Sequence, residues 1–132
     1  MAEWRSFFPE GLGIPCAASI ADDTTIYVSG VGGHAMDGSI SEDTADQTRQ
    51  SLAIIADLLA REGSSLDEVV WMQPYVVDIA DAEAVAAVIS ETFGDAPPAS
   101  GAMVGNVALA EPRMKMELQV TARRGAKRVR VQ

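Results

Sequence analysis

A single cysteine, Cys16, and a single histidine, His34, are all this chain offers of two residues that often cross-link, bind metals or shuttle protons. One cysteine excludes an internal disulfide. No apolar stretch approaches the ~20 residues needed to cross a bilayer. The N-terminus lacks the basic start and apolar run of a secretory signal, so a cytoplasmic compartment and no membrane partner are expected. Basic residues are also scarce, 10 Lys and Arg against 19 Asp and Glu, for a net charge of −9. Nucleic-acid affinity depends on Lys and Arg displacing counterions from phosphates, which argues against nucleic acid as a partner. Half of those cations, Arg123, Arg124, Lys127, Arg128 and Arg130, crowd the C-terminus. Residues 123–132 therefore read as a solvated basic tail.

What is present suits one globular domain over residues 1–132, since 48% of the residues are hydrophobic and 22% charged. Residues 17–21 and 25–30 read as a hairpin joined at Asp22-Asp23. The S-x-x-E spacing of Ser39 and Glu42 predicts the start of a helix, and Leu52, Ile55, Leu58 and Leu59 give it an apolar face that ends at Gly63. The run from Val69 to Val77 is a strand, with Pro74 at a bulge or on a side that pairs with nothing. Asp81 opens a second helix bearing Val85, Val88, Ile89 and Phe93, and Gly94 closes it. Strands at 102–107 and 114–123 follow, with a turn near Glu111-Pro112.

The order β-β-α-β-α-β-β places two helices on one face of a mixed sheet and leaves the other bare. In the last strand Met114, Met116, Leu118 and Val120 share one side, and Lys115, Glu117, Gln119 and Thr121 the other. Because the strand from Val69 is apolar on both sides, a further copy of the chain is the economical cover for the bare face. Trp71, Met72, Tyr75 and Met103 then belong to a pocket, to the core or to an interface. Gly30-Val31-Gly32-Gly33 lacks the Lys-Ser/Thr ending of a phosphate loop. Cys16 and His34 offer a thiol–imidazole pair, although a buried cysteine and a solvated histidine are the plainer assignment.

Several stretches from Gly13 to Ala122 resemble the RidA (YjgF-type) family. They are Tyr27-Val28-Ser29-Gly30, Gln47-Thr48-Arg49-Gln50-Ser51-Leu52, Gly63-Ser64-Ser65-Leu66, Val77-Asp78-Ile79, Phe93-Gly94, Pro98-Ala99 and Met116-Glu117-Leu118. The resemblance implies a chorismate-mutase-like α+β fold and a homotrimer with small-molecule clefts between subunits. It also implies cofactor-independent hydrolysis of enamine or imine acids such as 2-aminoacrylate, with no metal. On it, Glu117 is the family's water- or proton-handling glutamate, and Ser29 and Gly30 lie beside the substrate.

The match breaks where the family's carboxylate-binding arginine follows the Pro-Ala pair, because Ser100 stands there. A hydroxyl cannot make the bidentate fork of a guanidinium. Cys16, Ala86 and Ala102 replace a tyrosine, an asparagine and a cysteine, and Gly101 adjoins Ser100. These changes imply a roomier, more apolar cleft for a ligand larger and less anionic than 2-aminoacrylate. The expected function is thus a divergent imine or enamine hydrolase, with a non-catalytic metabolite- or partner-binding trimer as the alternative.

Overall fold

The computed structural model describes residues 3–11 and 13–132. Strands β1 (Arg5–Phe7), β2 (Ser19–Ala21) and β3 (Thr25–Val31) form an antiparallel meander, and helix α1 (Thr44–Arg61) follows. Strand β4 (Val69–Val76) and helix α2 (Ala82–Phe93) come next. The chain ends with β5 (Ala99–Ser100), β6 (Val104–Gly105) and β7 (Met116–Arg123). The seven strands make one mixed sheet in the order β1-β2-β3-β7-β4-β5, with β6 also paired to β4. The α+β class is as expected.

Four details differ from expectation. Arg5–Phe7 forms an edge strand that no alternating pattern announces. Helix α1 begins at Thr44, because Asp43, not Ser39, accepts the free N–H of Asp46 at 3.0 Å. Ser39 instead closes a turn on Asp37, whose Oδ1 takes its N–H and its hydroxyl. Strand β7 lies between β3 and β4, so α1 does not link adjacent strands, and the single strand expected at 102–107 is two short pieces either side of a break. Pro74 falls at that break, between Met72, which pairs with Ser100, and Tyr75, which pairs with Val104. Its missing N–H therefore costs no ladder bond there.

The C-terminal segment is the fourth difference. Arg124 donates to the carbonyl of Asp22 and to the carboxylate of Glu62 (2.6 Å). Arg128 donates to the carbonyls of Leu66, Asp67, Val69 and Ala96 and lies 5.2 Å from the Phe93 ring centre. Charge density suggested a solvated tail, yet guanidinium groups also satisfy carbonyls left open at element ends. The tail is a strap across the fold.

The core lies between the sheet and the helices. Met116, Leu118, Val120 and Ala122 of β7 are buried against Leu52, Ile55 and Leu59 of α1 and Val85 and Val88 of α2. Helix α1 also buries Gln47, Thr48 and Ser51, a polar stripe that apolar periodicity does not reveal. Each finds partners, as buried polar groups must. The Gln47 Nε2 donates to the carbonyls of Ser41 and Arg113, and its Oε1 accepts from the Lys115 N–H at 2.8 Å. The Ser51 hydroxyl donates to the Val31 carbonyl at 2.8 Å. Gln47 and Ser51 thereby tie α1 to the end of β3 and the start of β7, while the Thr48 hydroxyl donates back to the Thr44 carbonyl at 2.8 Å.

The opposite sheet face is bare, as alternation predicted. Tyr27, Thr121 and Trp71 stand in register across β3, β7 and β4, and Glu117 stands opposite Tyr75. Tyr27 keeps 48% of its surface exposed and Trp71 45%, and Trp4 stacks on Tyr27 with ring centres 6.0 Å apart. Met72 and Met103 instead belong to or pack on the core, so the four residues grouped in sequence separate onto two faces.

Candidate active site

The local chain path at the end of β3 creates the site. Strand β2 pairs with β3 only from Ile26 to Val28. Ser29 closes that pairing, its N–H donating to the Ala18 carbonyl and its hydroxyl to the Ala17 carbonyl at 2.8 Å. Beyond it the β3 edge is free of β2. On the other side, Val28 pairs with Val120 and Val31 with Leu118, so β3 carries one residue more than β7 across this interval. Such a bulge re-aims the side chains around it.

Glu117 of β7 uses the space that the bulge opens. Its carboxyl lies over the Cα of Gly30, where a Cβ would overlap its Oε1 and Cδ atoms. Position 30 is glycine because the carboxyl occupies the volume a side chain would take. Burial pushes the Glu117 carboxyl above the usual glutamate range. Taking a carboxylate out of water without a matching cation favours its neutral form.

Glu117, Ser29 and Gly30 line one cavity of about 440 Å³, together with Ile14, Ile54, Leu58, Met114 and His34. No lysine or arginine lines it among the described residues. Its walls are mostly apolar, the character of a small-molecule pocket with a few convergent polar groups.

The remaining expected site residues lie elsewhere in the single chain. Ser100, Gly101 and Ala102 sit at the β4–β5 edge, where the Gly101 N–H donates to the Met72 carbonyl and the Gln73 amide donates to the Ala102 carbonyl. Gln73 covers Gly101 as Glu117 covers Gly30, since a Cβ there would overlap the Gln73 amide oxygen. The Ser100 hydroxyl donates to the Gly101 carbonyl at 2.7 Å. Ala86 is exposed on α2, and α2 contributes nothing to the lining of the Glu117 cavity.

Cys16 is exposed, contrary to the small buried hydrophobe expected. Its position in a bend between Ile14 and Ala17 gives it no core to enter. His34, paired in sequence only with Cys16 and otherwise taken as a solvated loop residue, is in fact half-buried. The fold turns it into the cavity wall, and its Nε2 is 3.4 Å from Glu111 Oε2.

An α+β domain with one mixed sheet and two helices matches the fold of the YjgF-family structures. A Mycobacterium tuberculosis member of the YjgF/YER057c/UK114 family superposes with a TM-score of 0.79 at 26% identity, covering 92% of this chain and 99% of that one. A Pseudomonas aeruginosa protein of unknown function covers 100% of both chains with a TM-score of 0.86 at 21% identity, a likeness of fold.

The family pattern described as endoribonuclease L-PSP matches residues 15–124, and the chain belongs to that family, the YjgF/RidA family. The mitochondrial protein mmf1 of Schizosaccharomyces pombe is 31% identical over 113 residues, 82% of this chain and 67% of that protein. That relative's compartment gives no support to the cytoplasmic expectation, and no helix of the described residues is long and apolar enough to cross a membrane.

Proposed function

We propose that the protein hydrolyses an imine or enamine carbon–nitrogen bond, releasing ammonia and a ketone, in a cleft completed by another copy of the chain. The supporting observation is the half-buried Glu117 carboxyl set over Gly30 at the wall of an apolar cavity that no lysine or arginine lines among the described residues. A carboxyl with a raised pKa is a better proton acceptor near neutral pH than an exposed one. The water that attacks the imine carbon gives its proton to Glu117. Without a guanidinium nearby, an anionic substrate would lose a charged pair and its binding would weaken. A neutral or weakly anionic substrate with an apolar substituent suits the pocket instead.

Assembly follows from the bare face. Tyr27, Trp71 and Trp4 form an exposed aromatic patch that a further copy would cover, and a ring of three closes without open edges. In such a ring the β5 end of one subunit, with Ser100, Gly101 and Ala102, faces the Glu117 cavity of the next. Ribonuclease activity, the name the family carries, is a poorer match, since a net charge of −9 and a cavity that no lysine or arginine of the described residues lines offer phosphates little to bind. The non-catalytic binding trimer gains from Ser100, whose hydroxyl is already committed to Gly101.

An imine panel separates these readings. Imines made in situ by amine and amino-acid oxidases are followed for ammonia release above the spontaneous rate. Neutral, branched imines should be turned over faster than 2-aminoacrylate, and Ser100→Arg should shift the preference toward the acid. No acceleration of any imine, with a panel ketone binding saturably, would leave the binding trimer as the function.

A further inference from the structure

Resting on the hydrolytic reading above, we propose that His34, oriented by Glu111, is the second proton-transfer group of the Glu117 cavity. Three features of the structure converge on it. The first is position: His34 and Glu117 line the same cavity, and with Ser29 they are its polar side chains among the described residues. Between them the wall is Gly30, over which the Glu117 carboxyl lies, then Val31 and Gly32. A Cβ at Gly32 would meet the His34 Nδ1 at 3.5 Å and the Met114 methyl group at 2.6 Å, so Gly32 lies against the ring's Nδ1 edge.

The second feature is orientation. Glu111 Oε2 lies 3.4 Å from Nε2, while Arg113 Nε holds the other carboxylate oxygen at 2.7 Å. The hydrogen bond from Arg113 keeps the Glu111 carboxyl below the usual glutamate range, so it stays an acceptor for the ring N–H across neutral pH. An imidazole held at Nε2 by a carboxylate presents Nδ1 elsewhere, which is how a carboxylate fixes the working orientation of a histidine.

The third is rigidity. The backbone of His34 pairs with Ile40, its carbonyl accepts from the Gln50 amide at 3.4 Å, and the next residue, Ala35, donates to the Ser39 carbonyl at 2.8 Å. These contacts fix the backbone from which the ring projects.

The chemistry balances with two groups. Water adds to the imine carbon as its proton passes to the Glu117 carboxylate, and the imidazolium of His34 protonates the imine nitrogen. In the carbinolamine so formed, the carbon–nitrogen bond breaks as Glu117 returns its proton to the nitrogen, and ammonia leaves. The hydroxyl proton passes to His34, which restores the starting charges on both residues. Charged groups close to His34 are Glu111, Arg113 behind it and Glu117 across the cavity; the face of α1 nearest it presents the uncharged Gln47 and Gln50.

The test is the pH profile of ammonia release, from pH 5 to 9, for the wild type, His34→Gln and Glu111→Gln, using the imine the wild type turns over best. In the wild type, turnover should rise with pH as Glu117 ionises. His34→Gln should lower kcat about 100-fold while leaving that rising limb in place. Glu111→Gln, at a surface turn, should give a smaller loss of kcat and covers the case in which His34→Gln misfolds. Wild-type turnover with an unchanged profile in both variants would overturn this role and leave the hydrolytic reading standing. No wild-type turnover of any imine would overturn both.

Discussion

At the scale of single residues, Gly30 and Glu117 explain the site as one unit. Gly30 exists to admit the Glu117 carboxyl. Gly30→Ala should therefore evict that carboxyl and lower kcat/KM about 100-fold, the scale of a lost acid–base group. In a Glu117→Gln background the same change should cost little more, because the two act as one unit. Kinetics of the two single variants and the double variant test this. The resemblance put Gly30 beside the substrate and gave Glu117 its role, but only the bulge between Val28 and Val31 explains why the two touch. His34 was legible only as a partner for Cys16, because its place beside Glu117 and Glu111 depends on residues some 80 positions along the chain.

At the scale of elements, apolar alternation read β7 correctly on both faces, and the apolar face of α1 was equally plain. What escaped was whatever depends on partners far along the chain. Ser39 and Glu42 have the spacing of a cap, yet Asp37 claims Ser39 and Asp43 caps α1. The basic tail looked solvated, because its carbonyl partners at Leu66, Asp67 and Val69 lie some 60 residues upstream in sequence. The polar stripe of α1 shows how strong such distant ties are. Gln47→Ala would leave the carbonyls of Ser41 and Arg113 and the N–H of Lys115 without their partner in a buried place. The expected cost is about 3 kcal/mol, read as a lower urea midpoint at unchanged slope. A loss below about 1 kcal/mol would mean that water replaces the amide.

At the scale of the whole molecule, the proposed ring of copies would account both for the aromatic patch at Tyr27, Trp71 and Trp4 and for the separation of Ser100 from Glu117. Sedimentation velocity of the wild type should give about three times the chain mass. Trp71→Lys should give a folded monomer with greatly reduced ammonia release. A monomeric wild type would contradict the ring. Glu117 also bears on stability. Its carboxyl is raised by burial, so the stability it contributes is present at low pH and declines as the pH rises through its raised pKa. Replacing it by an amide removes that cost. The most direct measurement is ammonia release by Glu117→Gln on the best imine, taken together with its melting temperature at pH 7.5. The account predicts turnover reduced at least about 100-fold in a protein that melts no lower than the wild type. Wild-type turnover in that variant would contradict it.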